Sequence, residues 1–228
     1  NAFSNCDCLA GELNFPVITT LGGSAFSNCY FITGVTIGGN CNFSSDAFGG
    51  CSDFKYYNVA EENTYYKSID GVLFSKDMKT LYRYPLGKVD SEFVIPESVT
   101  TVKGSAFYGA KNLTNIVIGS NVTKIEGSAF RNTGITTLYI PNNVTSLGDN
   151  VASGCTSLVW VVFGKGITSF RSDFITVGSN YAIKYIFSTL TGGGTGSLPG
   201  SGETVLTYYM ADRSCEDYYG GHKYGYLD

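Results

Sequence analysis

The chain is predicted to fold as an α/β repeat solenoid, made mostly of short strands and turns wound into a right-handed superhelix, with one inserted β-hairpin and a C-terminal cap. Three observations predict it. One six-residue phrase keeps returning: NAFSNC at Asn1, SAFSNC at Ser24, DAFGGC at Asp46, SAFYGA at Ser105 and SAFRNT at Ser128. Its phenylalanines are evenly spaced, Phe3, Phe26 and Phe48 by 23 and 22 residues and Phe107 and Phe130 by 23. Each period also holds a short alternating segment such as Leu138-Tyr139-Ile140, whose side chains point inward and outward in turn, as a strand requires.

A period of about 20–29 residues is that of leucine-rich repeats. In the copy from Lys111 to Thr133 the apolar slots are Leu113, Ile116, Ile118, Val122, Ile125 and Phe130. From Gly134 to Cys155 the same slots hold Ile135, Leu138, Ile140, Val144, Leu147 and Ala152, and NVASGC is a degraded form of the phrase. From Thr156 they hold Leu158, Val161, Phe163, Ile167, Phe170 and Phe174. Pro141 or Gly119 ends the strand, a Val-Thr-x-Ile segment supplies further inward branched residues, and the Ala-Phe turn closes the coil. No copy can bury these residues alone. Stacked at the strand spacing of about 4.8 Å, the copies bury them as ladders, each Phe contributing roughly 1.5–3 kcal/mol.

The gap from Phe48 to Phe107 is 59 residues, too long for two plain repeats. Within it Val72-Leu73-Phe74 and Leu81-Tyr82-Arg83-Tyr84 flank SKDMKT, the signature of a β-hairpin with a polar turn that Pro85 and Gly87 terminate. The whole chain, 1–228, is expected to be one repeat domain: N-terminal repeats over 1–51, the hairpin-bearing repeat over 52–110, further repeats over 111–204 and a cap over 205–228. Because the chain starts inside a repeat phrase, it is expected to be a trimmed fragment whose upstream repeats and targeting segment are missing.

Composition narrows function. With 43% hydrophobic residues there is material for a core, and with 15 basic against 19 acidic residues the net charge is −4. No basic run exists, so nucleic acid and anionic membranes are poor partners, and no apolar run reaches the ~18 residues of a spanning helix. Seven cysteines would ordinarily point to disulfides or metal. Cys6, Cys29, Cys51 and Cys155, however, share one slot of the repeat with Ala110 and Thr133, which predicts buried free thiols in a place that wants a small side chain. Cys8, Cys41 and Cys215 fall outside that slot. With no C-x-x-C and a single histidine, no metal or cofactor is expected.

Three features resemble the BspA-like leucine-rich repeat family of bacterial surface proteins. They are the N-x-x-Y-x-S-I-D-G-V-L-F run from Asn63 to Phe74, the L-x-R-Y-P run from Leu81 to Pro85, and the recurring I-P-x-x-V-T-x-(I/V/L)-x-x-x-A-F. The ending YYMADRSCEDYYGGHKYG is similar to the family's capping stretch, a strand, a turn and a short helix with Tyr218 or Tyr219 near its middle. The resemblance covers nearly the whole chain. It departs in the N-terminal copies, which are off by one residue, and at GGGTGSLPGSG from Gly192, a flexible loop in place of a regular turn. The resemblance implies a secreted or surface-anchored interaction protein or adhesin with no catalytic activity, located outside the cell or on its surface.

Isolated site candidates reduce to bland readings. His222 would need Cys215 within reach to act as a base, and it sits in a Gly- and Tyr-rich tail. Glu61 and Glu62 are neighbours in an expected loop, where adjacent residues rarely face each other across a sugar as paired carboxylates must, so they read as a solvated face. Gly192 to Gly202 lacks the Lys-Ser/Thr of a phosphate loop. The sequons at Asn42, Asn112, Asn121 and Asn143 largely follow from the repeat's own Asn-Val-Thr wording.

The outward strand positions are more informative: Thr36, Tyr56, Asn58, Val94, Val117, Tyr139, Trp160, Val162, Tyr185 and Phe187. Aromatics at such places are unusual for a solvated sheet face. They would form a stripe either for cross-strand packing or for a partner. The candidate binding residues are Tyr56, Tyr139, Trp160, Val162, Tyr185 and Phe187, the partner a host or neighbouring-cell surface protein. The alternative is a glycan or cell-wall polymer stacked on Tyr139, Trp160 and Tyr185.

Overall fold

The structure, a computed structural model, describes residues 2–164, 166, 167 and 174, and the backbone of strands 185–188 and 207–210. In chain order the strands are β1 (Ala10–Phe15), β2 (Thr20–Leu21), β3 (Phe31–Ile37), β4 (Asn42–Phe43), β5 (Tyr56–Val59), β6 (Tyr66–Ile69), β7 (Val72–Ser75), β8 (Thr80–Arg83) and β9 (Glu92–Val94). They continue with β10 (Thr101–Val102), β11 (Asn115–Val117), β12 (Lys124–Ile125), β13 (Thr137–Ile140), β14 (Ser146–Leu147), β15 (Trp160–Phe163), β16 (Tyr185–Ser188) and β17 (Thr207–Met210).

One longer strand per coil stacks in parallel on the next, in the groups β1–β3–β5, β9–β11 and β13–β15–β16–β17. The Val-Thr-x-Ile segments form a second, narrower parallel stack, β8–β10–β12–β14, with β2–β4 in the N-terminal coils. The inward residues of both stacks, such as Leu138, Ile140, Val161 and Val144, are fully buried.

The recurring phrase is the third corner of each coil, and the geometry accounts for its letters. The residue two before the Phe is left-handed, at φ 54 to 59 in Ser24, Ser105, Ser128 and Asn150. The residue two after it is left-handed as well: Asn5, Asn28 and Asn132 at φ 58 to 59, Gly50, Gly109 and Gly154 at φ 75 to 79. Asn and Gly tolerate that region best, which is why the slot admits only those two. Between them the Phe N–H donates to the carbonyl ahead of the next coil's rung: Phe26 to Ala47 at 2.8 Å, Phe107 to Ala129 at 2.8 Å and Phe130 to Val151 at 2.9 Å. The rings stack along the axis, Phe3–Phe26 at 5.1 Å, Phe26–Phe48 at 5.5 Å and Phe107–Phe130 at 5.5 Å between centroids.

The α/β label is not borne out: there is no helix among the described residues. The corners that start at Ser24, Ser105, Ser128 and Asn150 are bounded by left-handed residues at both ends. That leaves three residues between them, too few to nucleate a helical turn. Of the cap only the backbone of β17 is described, and Cys215, His222 and Gly192–Gly202 lie outside the described residues.

The inserted segment is larger than a hairpin. β7 and β8 pair antiparallel as expected, and β6 pairs antiparallel with β7, making a three-stranded meander. Asp70 (φ 49) and Gly71 (φ 78) form its first turn, both left-handed as a type I′ turn demands. Asn63, fully buried, roots the meander in the preceding coil. Its Nδ2 donates to the carbonyls of Gly38 (2.8 Å) and Cys41 (3.0 Å), and its Oδ1 accepts from the N–H groups of Tyr65 and Tyr66 (both 2.9 Å). β7 is buried on both faces and divides the interior. Leu73 joins the core of the N-terminal coils, while Val72 and Phe74 join that of the C-terminal coils.

Two irregularities follow from register. The one-residue offset of the N-terminal copies is a β-bulge: Gly11 pairs with Ile32 but Glu12 with Gly34, leaving Thr33 extra. At the other end the Ala152 N–H donates to the Phe174 carbonyl (3.1 Å), the place held by Ala129 and Val151 in earlier coils. Phe174 is therefore one residue short of the rung that the spacing assigns to it, although it is buried and packs 5.2 Å from Phe163.

Candidate functional site

The outward sheet face is set by a continuous register. The N–H of Thr114 donates to Ser91 O (2.8 Å), Thr136 to Thr114 O (3.1 Å) and Val159 to Thr136 O (2.8 Å), which aligns β9, β11, β13 and β15 residue for residue. One outward row is then Glu92, Asn115, Thr137 and Trp160, with Tyr185 at the paired backbone position. The next is Val94, Val117, Tyr139 and Val162, with Phe187 and Tyr209 at the paired backbone positions. The first row begins polar, with Asn115 Nδ2 on Glu92 Oε2 at 3.1 Å. The second is apolar or aromatic throughout.

Exposure grades along this row. Val94 is 57% and Val117 42% exposed, whereas Tyr139, Val162 and Trp160 are half-buried. Desolvation pushes the Tyr139 hydroxyl above its usual range. Tyr185 and Phe187 share these register positions, but their side chains lie outside the described residues.

Tyr56 stands apart. Its ring lies over Gly34, where an added Cβ would come within 2.5 Å of Tyr56 Cζ. This close approach needs glycine on the strand between and lets the hydroxyl bond to Glu12 one strand further on. Burial, followed by that carboxylate, raises the tyrosine's pKa. Thr36 Oγ1 donates to the same Glu12 (2.8 Å), and Asn58 Nδ2 donates to Thr36 (3.2 Å). The edge of β5 meets the meander rather than β9: Tyr57 N–H donates to Gly71 O (2.9 Å) and Val59 N–H to Ser68 Oγ (3.0 Å). The six candidate residues therefore fall on two sheet segments, a polar one with Tyr56 and an apolar one with the rest.

The buried thiols are packing groups rather than nucleophiles. Cys29, Cys41, Cys51 and Cys155 are buried and unpaired with one another, and Cys6 is half-buried. Cys51 donates to Phe26 O at 3.1 Å, and desolvation pushes its pKa up to about 11, the opposite of an activated nucleophile. Cys155 and Cys41 are shifted the same way. Among the described residues no three His, Cys, Asp or Glu side chains cluster as metal ligands, and no helix is long and apolar enough to cross a membrane.

Two residues of structural consequence lie outside the repeat's recurring phrase. Tyr84 is a rung: its N–H donates to Ala106 O (2.7 Å) and its ring stacks 5.6 Å from Phe107, 23 residues on. Arg83 reaches from the meander to Ser45 O (Nε, 3.1 Å) and to Ser105 O. The 23-residue interval before Phe107 was the available signal.

A stacked β-solenoid with a recurring Ala-Phe corner defines a leucine-rich-repeat protein. The profile of the BspA type leucine rich repeat region matches six copies over residues 1–82 and 88–189, and the chain belongs to that family. No curated protein sequence gives a significant match. Among solved structures, a leucine-rich repeat protein from Eubacterium ventriosum is 26% identical at a TM-score of 0.65, covering 78% of this chain and 48% of that one. The pneumococcal vaccine antigen PcpA is 22% identical at 0.69, covering 92% and 64%. A leucine rich cell surface protein from Faecalibacterium prausnitzii is 20% identical at 0.60, covering 82% and 62%. The chain spans between about half and just under two thirds of these proteins.

Proposed function

We propose that this chain is a non-catalytic interaction module of a secreted or cell-surface protein, binding a protein of a host or neighbouring cell through the C-terminal part of its sheet face. The family supports the interaction role, and a vaccine antigen and a cell surface protein among the similar folds support the location. The observation that carries the site is the row Val94, Val117, Tyr139 and Val162, with Trp160 beside it. Two of these valines are among the more exposed apolar side chains of the molecule, and they run into partly covered aromatics. Solvated sheet faces do not align apolar residues in this way, whereas partner surfaces do, and aromatic anchors dominate their energetics.

The test compares capture of surface proteins by the intact chain with that by the double variant Val94→Ser, Val117→Ser and by Tyr139→Ala. Loss of a specific captured protein with an unchanged melting curve supports the reading. Retention by all variants, or selective retention of a polysaccharide on a glycan array, refutes it.

A further inference from the structure

We propose that the gap in the corner ladder, between the corner at Asp46–Cys51 and the segment Arg83-Tyr84-Pro85-Leu86, is a binding cleft for the free C-terminal carboxylate of a short peptide. The gap holds a cleft of about 290 Å3. The corners at Phe3, Phe26, Phe107 and Phe130 each pass at least two hydrogen bonds to the next coil, as Phe26 N–H does to Ala47 O and Asn28 N–H to Gly49 O, both at 2.8 Å. Phe48 and Gly50 occupy the same two slots. The chain beyond them turns into the meander, and neither N–H has an acceptor among the described residues. Buried donors are almost always satisfied, and Phe48 is only 4% exposed.

The cleft also holds a cation. Arg83 is fixed by carbonyls from either side of the gap, those of Ser45 and Ser105, and has no ion pair among the described residues. The Asp46 carboxylate accepts from Ser44 Oγ and makes no ion pair with Arg83, which also bonds to the buried Tyr57 hydroxyl. On the far wall the Tyr108 carbonyl accepts no hydrogen bond among the described residues, although the equivalent carbonyls of Ser27, Gly49, Arg131 and Ser153 each accept an N–H from the coil before. Leu86, which stands in the donor's place, does not bond to it.

Two free N–H donors, a guanidinium and one carbonyl acceptor are complementary to the end of a polypeptide chain. The carboxylate oxygens take the N–H groups and Arg83, and the last peptide N–H donates to Tyr108 O. An internal peptide bond brings no charge, and phosphate brings no N–H for Tyr108. Phe54, Pro85 and Leu86 line the same cleft and offer apolar surface to the terminal side chain. Its volume is at the small end of ligand sites, so it admits one or two residues. The cleft is separate from the sheet face, and either can fail without the other.

The experiment titrates the intact chain with N-acetyl-Gly-Leu, its C-terminal amide and glucuronic acid, following backbone amide resonances. Saturable shifts at Phe48 and Gly50 with the free acid, and affinity at least about tenfold weaker for the amide, are expected. Arg83→Gln should abolish the response, and because Arg83 also braces two coils, the wild-type titration is decisive by itself. No saturable shift up to about 10 mM, equal binding of the amide, or tighter binding of glucuronic acid would overturn the assignment.

Discussion

The thiol of Cys155 donates to the carbonyl of Phe130, 3.0 Å away and one coil back, and shares that carbonyl with the Thr133 hydroxyl at 2.9 Å. Cys51 makes the same bond to Phe26, and Cys29 makes it to Phe3 at 2.9 Å. The slot therefore takes a side chain that is small enough to be buried and able to donate. Where it holds Ala110, the bond is forgone. A thiol reagent should label Cys8 quickly, Cys29, Cys51 and Cys155 only at the rate of opening, and all of them after unfolding. Fast native labelling of Cys51 would contradict the packing.

The same thiol gives a pH dependence of defined sign. Desolvation raises the Cys51 pKa from about 9 to about 11, so the folded state holds this proton more tightly than the unfolded state. The stability this contributes is complete below pH 9 and is lost as the pH rises through 11, amounting to about 2–3 kcal/mol. Denaturation of wild type and Cys51→Ala across that window should show the difference shrinking as the pH rises. A constant difference would mean that the thiol is not desolvated.

Tyr84 separates the ring from its hydroxyl. The hydroxyl donates to Asp90 Oδ2 at 3.0 Å, and the ring continues the Phe107–Phe130 ladder. Tyr84→Phe should cost about 0.5–1.5 kcal/mol, and Tyr84→Ala about 3–5 kcal/mol, close to Phe130→Ala. Urea midpoints of the three variants check the ranking, which equal costs for the two Tyr84 variants would reverse.

Asn63 makes four hydrogen bonds without access to water. In Asn63→Ala, two carbonyls and two N–H groups lose their partners, at roughly 1–3 kcal/mol for each group that stays dry. Hydrogen exchange should accelerate first at the amides of Tyr65 and Tyr66, with the C-terminal coils still protected. Uniform acceleration along the chain would show that the meander does not open by itself.

For the sheet face, Val94→Ser and Val117→Ser should alter stability by no more than about 0.5 kcal/mol because both side chains are largely in solvent. Trp160→Ala should cost more than either, since Trp160 is half-buried. Thermal melts of the three variants check the order, and a smaller cost at Trp160 would place its ring in solvent.

Period, alternation and shared slots carried most of the fold. They gave the coil length, the inward residues and the cysteine slot, because stacked coils force equivalent positions into equivalent surroundings. The corner's left-handed residues are legible only afterwards: Asn132 and Gly154 look unrelated until their common φ is known. Tyr84 escapes notice because Arg-Tyr-Pro shares no wording with Ser-Ala-Phe, although the 23-residue interval is kept. The strand β6 was legible in Ile69-Asp70-Gly71-Val72, since Asp-Gly between alternating residues is a strong turn signal. The sheet face is half legible. Alternation says which way Tyr139 and Trp160 leave the strand, but how far they stand in solvent depends on the size of their neighbours across the sheet.

The double-sided burial of β7 bears on how the molecule comes apart. In a solenoid each coil stabilises only its neighbours, so cooperativity spreads no further than the weakest link between coils. Here that link is the meander, in which β7 gives Leu73 to one half and Val72 and Phe74 to the other, with Arg83 bridging the carbonyls of Ser45 and Ser105 beside it. The chain should behave as two coupled melting units rather than one. Cys51 accessibility would report on the first and Trp160 emission on the second, and the gap between their midpoints would measure the strength of the joint.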